Sequence, residues 1–77
     1  MVFAFVLINT TGKASDTLGK LKKIPEVREA YVVRGSFDII VRIDAEKNPE
    51  GIREATSRIR KIETVRLTYT LIPFSKK

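Results

Sequence analysis

The sequence contains no cysteine and no histidine. Without cysteine no disulfide can form, and without either residue the usual zinc ligands are missing. For the same reason neither cysteine nor histidine can serve as a nucleophile or general base. No carboxylate pair is spaced for acid–base work, and no glycine-rich phosphate-binding motif is present. We therefore expect a protein that is not an enzyme and that holds no metal or cofactor.

Long apolar runs are also missing. No stretch of 18 apolar residues occurs, and no basic segment precedes an apolar core with a cleavage site, so neither a membrane span nor a secretion signal is predicted. We expect a cytoplasmic protein without a membrane partner. Its 77 residues predict one domain, residues 1–77. A core of this size yields only a few kcal/mol, so oligomerisation or very regular packing is expected to add stability.

The charge is strongly basic: the formal net charge is +6 and the sequence pI is about 10.0. Such a pI is the first sign of a nucleic-acid binder. The cations are interleaved with acids along the chain, however, which is typical of a mixed, solvated surface. The third strand described below also lacks the stacked aromatics of an RNA-binding motif. A weak basic nucleic-acid binder stays open as an alternative.

Four stretches have the apolar patterns of β-strands. They are residues 2–9, 27–35, 38–46 and 64–74. The first is apolar on both alternating sets, which predicts a strand covered on both faces. In the third, one set consists of Ile39, Val41 and Ile43. In the fourth, one set consists of Val65, Leu67, Tyr69 and Leu71.

Two stretches, residues 10–24 and 47–62, have helical spacing. In the first, an apolar stripe precedes a proline, which ends the helix. This stripe consists of Ala14, Leu18, Leu21 and Ile24. In the second, Asn48 suits the N-cap and Pro49 the first helical position. Its apolar stripe consists of Ile52, Ala55, Ile59 and Ile62. The order β-α-β-β-α-β predicts an α+β, ferredoxin-like fold, with a four-stranded antiparallel sheet and two helices on one face.

This fold leaves one face of the sheet without helices. Because the first strand is apolar on both faces, the uncovered face carries apolar residues in either orientation. A monomer rarely leaves such an area in water. The sequence therefore predicts at least a dimer, formed sheet to sheet.

Three segments of the sequence, taken in order, resemble a known protein family, and the resemblance spans nearly the whole chain. "IPEV" (24–27) follows the first helix, and "VVRGSFDIIVRI" (32–43) contains a Gly-x-x-Asp turn, Gly35 to Asp38. A late pattern consists of Ile59, Ile62, Val65, Thr68, Thr70 and Ile72. In this order the pieces resemble the ligand-binding domain of the Lrp/AsnC transcription regulators, called the RAM domain.

The resemblance implies a domain that dimerises through its sheets and assembles further, for example into an octamer of four dimers. It also implies that a free amino acid binds between dimers, near the turn joining the second and third strands. Amides of the Ser36–Asp38 turn would meet the ligand carboxylate, and the Asp38 carboxylate would meet its ammonium group or orient the turn. The full set of ligand-binding residues implied is Tyr31, Gly35, Ser36, Phe37, Asp38, Thr68 and Thr70.

Other interpretations of these residues stay open. Asp38 is also typical of a side chain that caps a turn without any ligand. Thr68 and Thr70 suit a strand by propensity alone. Tyr31 is equally typical of a packing residue.

The regulators of this family carry a helix-turn-helix domain before the ligand-binding domain, whereas Val2 already belongs to the first strand here. The resemblance therefore implies a stand-alone domain without direct sequence-specific DNA binding. Such a domain would modulate transcription indirectly, by sensing amino acids or by joining full-length Lrp/AsnC relatives. The alternative is a purely structural or protein-interaction oligomer that binds no ligand.

Overall fold

The computed structural model describes residues 3–45 and 49–73. Its elements are β1 (Phe3–Thr10), α1 (Ala14–Leu21), β2 (Val27–Val32), β3 (Ile39–Asp44), α2 (Pro49–Arg60) and β4 (Val65–Leu71). The four strands form one antiparallel sheet in the order β2-β3-β1-β4. This confirms the βαββαβ arrangement and makes β2 and β4 the edge strands. Within the described residues no helix is long and apolar enough to span a membrane.

Several predicted boundaries were too wide. The helix α1 begins at Ala14 rather than at residue 10, because Lys13 has an extended backbone. It ends at Leu21, and a turn then brings Ile24 into the core. Asp38 precedes β3 instead of belonging to it. Pro49 begins α2 as predicted, and the predicted cap Asn48 lies outside the described residues.

The core lies between the helices and one face of the sheet. In β1, β3 and α2 the predicted apolar sets are buried, which confirms their periodicity, except that Ile62 follows the end of α2 and is only partly buried. The buried residues of these elements are Ala4, Val6, Ile8, Ile39, Val41, Ile43, Ile52, Ala55 and Ile59. In α1, Leu21 is buried, whereas Ala14 and Leu18 are only partly buried.

The core also contains a polar residue that the sequence pattern did not predict. Thr17 in α1 is fully buried, and its hydroxyl lies 2.5 Å from the hydroxyl of Thr64. The pair ties α1 to the connection before β4. A hydrogen bond between two hydroxyls satisfies both groups and so allows their burial.

The start of β4 departs from simple alternation. Asn9 is opposite Leu67, but the next residue, Thr10, is opposite Val65, so Arg66 is the extra residue of a β-bulge. The bulge moves Val65 out of the predicted set with Leu67, Tyr69 and Leu71. Val65 packs against the core instead.

The second face of the sheet carries no helix; we call it the open face. On it, Leu7 of β1 is opposite Ile40 and Tyr69, and Phe5 is opposite Arg42 and Leu71. Tyr69 and Leu71 are 51% and 54% exposed. The open face is therefore mainly apolar over β1 and β4.

Gly51 lets α2 approach the end of β3 closely. A Cβ on Gly51 would lie 2.7 Å from the Cβ of Ala45, whereas a Cβ on Gly19 in α1 would have no atom within 4 Å. In Gly51→Ala the clash with Ala45 should lower the free energy of unfolding by about 1–3 kcal/mol. This loss exceeds the stabilisation of about 1 kcal/mol that alanine gives over glycine through helix propensity. The matched variant Gly19→Ala should raise the free energy of unfolding by about 0.5–1 kcal/mol. Urea unfolding measures both, and equal effects would contradict the close approach.

Candidate functional site

The connection between β2 and β3 forms an anchored turn at one end of the sheet. The amide of Val33 donates to the carbonyl of Asp38 at 2.8 Å, and the amide of Asp38 donates to the carbonyl of Ile8 at 2.9 Å. Between these bonded ends, Gly35 and Ser36 are exposed. Gly35 has φ 128°, a backbone conformation that favours glycine. The turn thus exposes its backbone at Gly35 and Ser36, while hydrogen bonds hold both of its ends in place.

The Asp38 side chain joins this turn to β1. Its Oδ2 accepts a hydrogen bond from the amide of Thr10 at 2.8 Å, and the Thr10 hydroxyl lies 3.5 Å from the same oxygen. Bonds to a charged acceptor are stronger than neutral ones. Asp38 therefore holds the first residues of the β3 segment beside the last residue of β1.

Phe37 lies against the open face. Its ring centroid is 5.4 Å from that of Tyr69, and the rings meet edge to face at 79°. This geometry is favourable for aromatic pairs. Phe37 is partly buried, so its side chain contributes packing between the turn and β4.

The remaining predicted site residues lie far from one another within one chain. Tyr31 is on the edge strand β2, and Thr68 and Thr70 are on the opposite edge strand β4. Three strand spacings separate these edges, roughly 14 Å. Tyr31 is on the open face, whereas Thr68 and Thr70 are on the helix side, opposite Ile8 and Val6. The Thr68 hydroxyl accepts a hydrogen bond from Arg60 Nε at 3.3 Å.

Charged residues occupy the part of the open face over β2 and β3. Asp44 accepts hydrogen bonds at 3.1 Å from both Arg28 and Arg42, and its side chain is only 8% exposed. Burial by itself would raise the pKa of Asp44, but the hydrogen bonds and charges of the two arginines outweigh it and hold that pKa below its ordinary value of 3.8. Arg42 also lies 4.9 Å over the Phe3 ring.

Tyr31 belongs to the same charged group. Its hydroxyl donates a hydrogen bond to Glu29, and Arg42 is 3.9 Å from that carboxylate. The hydrogen bond to Glu29, together with its negative charge, raises the pKa of Tyr31. Tyr31 therefore has a partner within its own chain, which suits the interpretation of Tyr31 as a structural residue.

Sequence reasoning missed two residues of this region, Thr10 and Tyr69. Thr10 is the partner of Asp38, and Tyr69 is the partner of Phe37. The topology carried a signal for the first: in an antiparallel β1–β3 pair, the end of β1 lies beside the start of β3. The Phe37–Tyr69 contact has no such signal, because it depends on where the turn folds.

The chemistry of this region is polar on one side of the turn. It offers exposed turn backbone beside a carboxylate, which together suit a ligand bearing both an acceptor and a donor. Within residues 3–45 and 49–73, no group of three or more acids is placed to hold a metal ion.

The comparison with known families decides the identity of the domain. The family model described as the Lrp/AsnC ligand binding domain matches residues 3–77. The chain belongs to the Lrp/AsnC ligand-binding domain family. This family is a domain of transcription regulators rather than a class of enzymes. The resemblance found from the sequence is thereby confirmed.

Individual relatives of this Lrp/AsnC domain agree with the family match. The HTH-type transcriptional regulator FL11 of Pyrococcus furiosus is 38% identical over 72 residues, which are 92% of this chain and 47% of that protein. The chain thus spans about half the length of this curated relative. The crystal structure of the hypothetical protein PHS023 from Pyrococcus horikoshii is 38% identical, with a TM-score of 0.83, and the match covers 99% of this chain and 93% of that chain.

A more distant structure shares the fold of the Lrp/AsnC domain. It is the feast or famine regulatory protein of M. tuberculosis complexed with L-methionine. Its TM-score is 0.79 at 24% identity, and the match covers 99% of this chain and 52% of that chain.

The buried Asp44 makes the stability of this Lrp/AsnC domain dependent on pH. Its pKa is lower in the folded protein than in the unfolded chain, so its stabilising contribution is complete above about pH 4 and is lost as the pH falls through the folded-state pKa. We expect Asp44→Asn to unfold at a lower temperature than the wild type at pH 7, and this gap to shrink towards pH 2. Thermal unfolding followed by circular dichroism measures the gap. Glu63→Gln, at an exposed position between α2 and β4, is the matched control and should produce no such gap. A gap for Asp44→Asn that stays constant over this pH range would contradict the ionic role of Asp44.

Proposed function

We propose that this domain binds a free amino acid at the anchored turn, and that the domain assembles sheet to sheet into a dimer or larger oligomer that completes the site. The observation that carries the proposal is the exposed Gly35–Ser36 backbone, held in place by Asp38, in a chain that belongs to a ligand-binding domain family. The domain itself is residues 1–77.

An amino acid needs donors for its carboxylate and an acceptor for its ammonium group. Amides of the Ser36–Asp38 turn supply the donors. The Asp38 amide already donates to Ile8, so Ser36 and Phe37 are the better candidates. Asp38 Oδ2 is engaged by Thr10, which leaves Oδ1 to accept from the ammonium group. The L-methionine bound by the M. tuberculosis relative supports this class of ligand.

A second protomer is required if Tyr31 and the β4 threonines line one site. These residues lie on opposite edges of the sheet, too far apart for one amino acid to contact both within a chain. Neighbouring copies would bring the two edges together, as in an octamer of four dimers. Full-length Lrp/AsnC relatives are further candidate partners. The role of the domain is then to modulate transcription indirectly, in the cytoplasm, without reading DNA itself.

One alternative function rests on a specific observation. Asp38 already has a structural partner in Thr10, so its presence in the turn is accounted for without a ligand. In this alternative the domain is a purely structural or protein-interaction oligomer. A weak basic nucleic-acid binder is the other alternative, and it would show retention on DNA that falls steeply with salt.

Calorimetry with each common amino acid tests the proposal. We expect saturable heat from one or a few of them. Asp38→Asn keeps an oxygen that can accept from the Thr10 amide but removes the charge that attracts an ammonium group, so it should weaken binding about tenfold or more. Asp16→Asn, which makes the same change of charge at an exposed position of α1, should leave binding unchanged.

Three results would count against amino-acid binding at a site that includes Asp38. The first is silence across the whole panel while the protein stays folded and assembled, which favours the structural oligomer. The second is equal weakening by both variants, which would reflect net charge alone. The third is unchanged binding in Asp38→Asn, which would remove Asp38 from the site.

A further inference from the structure

A groove runs along the outer edge of β4, on a part of the molecule that the anchored turn does not use. It encloses about 290 Å³ and is lined by Arg60, Val65, Arg66, Leu67 and Thr68. Arg60, the last residue of α2, is oriented by its hydrogen bond to the Thr68 hydroxyl. Arg66 is the extra residue of the β4 bulge, a feature that often re-aims a side chain. The groove therefore brings two guanidinium groups to one strand edge.

These two arginines differ from others in the structure. Arg28, Arg42 and Arg58 each form an ion pair with a carboxylate. In the described part of the chain, neither Arg60 nor Arg66 has a carboxylate within 4.0 Å. The surrounding sequence adds to the positive field. Between residues 58 and 66 there is one acid, Glu63, and four cations: Arg58, Arg60, Lys61 and Arg66.

The backbone of β4 is available beside these charges. Among the described strands β4 pairs with β1 alone, and in an antiparallel strand every second residue directs its N–H and C=O away from its partner. Such an edge accepts an added strand unless it is blocked by proline or by repulsive charges. From Leu67 to Leu71 the edge contains neither proline nor lysine, and Tyr69 and Leu71 are more than half exposed.

We propose that the β4 edge binds an extended acidic segment of another protein, which adds to the sheet as a fifth strand. Its backbone would pair with β4, and its carboxylates would contact Arg60 and Arg66. Acids at every second position of a strand share one face and lie roughly 7 Å apart, so two of them can meet the two arginines. A small anion would use the guanidinium groups but leave the backbone edge unpaired, which is why a peptide strand suits the site better. The surface lies along the outer edge of β4 and shares Thr68 with the residues predicted to bind an amino acid.

Two blocked synthetic heptapeptides provide the probes, TVEVEVT and its lysine counterpart TVKVKVT. Each is titrated into ¹⁵N-labelled protein up to about 1 mM, and the amide signals are followed by NMR. We expect TVEVEVT to shift amides of β4 saturably and TVKVKVT to shift none.

Paired charge reversals separate the site from net charge. The double variant Arg60→Glu, Arg66→Glu should bind TVEVEVT at least about tenfold more weakly and should gain binding of TVKVKVT. The control Lys23→Glu, Arg53→Glu makes the same change of charge at two exposed positions, one in the turn after α1 and one on α2. This control should change the affinity for TVEVEVT less than about twofold, because neither residue lines the groove.

Four results of the peptide titrations would overturn the proposal. They are no shifts with TVEVEVT, shifts that map away from β4, equal weakening by the two double variants, and loss of the peptide when inorganic phosphate is added at constant ionic strength. The last would identify a small-anion site. Protection of the β4 edge amides from hydrogen exchange before any peptide is added would equally overturn it, because a second copy of the chain would then occupy the edge.

Discussion

The whole structure depends on one constraint: β1 is apolar on both faces, and two helices cover only one of them. The central position of β1 in the sheet follows from this, since a strand that is apolar on both sides is best placed away from an edge. On the helix side its side chains form the fully buried core with β3 and α2. On the open face, Leu7 and Phe5 continue into the exposed apolar residues of β4. In a single chain the sheet is thus covered by helices on one face, whereas apolar residues on its open face stay exposed.

The open face is not uniform, and its two parts limit how it can be covered. Over β1 and β4 it is apolar, whereas over β2 and β3 it carries Glu29, Arg42 and the nearly buried Asp44. Burying charged groups against an apolar surface costs desolvation without compensation. A covering copy must therefore place apolar against apolar and leave the charged part paired or wet. The anchored turn joins this face through Phe37 and joins the end of β1 through Asp38. Assembly and the candidate site are physically connected for that reason.

Sequence patterns predicted the parts of the fold that depend on periodicity. The alternation in β1 and β3 and the helical stripe of α2 identified their buried residues, since each pattern reports burial on one face. The pattern failed in β4 because the bulge at Arg66 broke the period and turned Val65 towards the core. Thr17 was missed for another reason: it has helical spacing with Ala14 and Leu21, but the predicted stripe contained apolar residues only.

For the candidate site, the resemblance identified the turn and Asp38. Sequence alone could not decide between a structural and a binding role for Asp38, because its structural partner, Thr10, lies 28 residues away in the chain. The sequence also could not predict the distance between Tyr31 and Thr68, because strand order is a property of the whole sheet.

Sedimentation equilibrium of wild type and Leu71→Arg tests the central claim, that a second copy covers the open face. Leu71 is 54% exposed, so the variant should fold, and Val32→Arg, at a 51% exposed position on the other side of the sheet, is the control. The account predicts a dimer or larger oligomer for wild type and control, and a folded monomer for Leu71→Arg. A monomeric wild type, or an unchanged oligomer in Leu71→Arg, would contradict it.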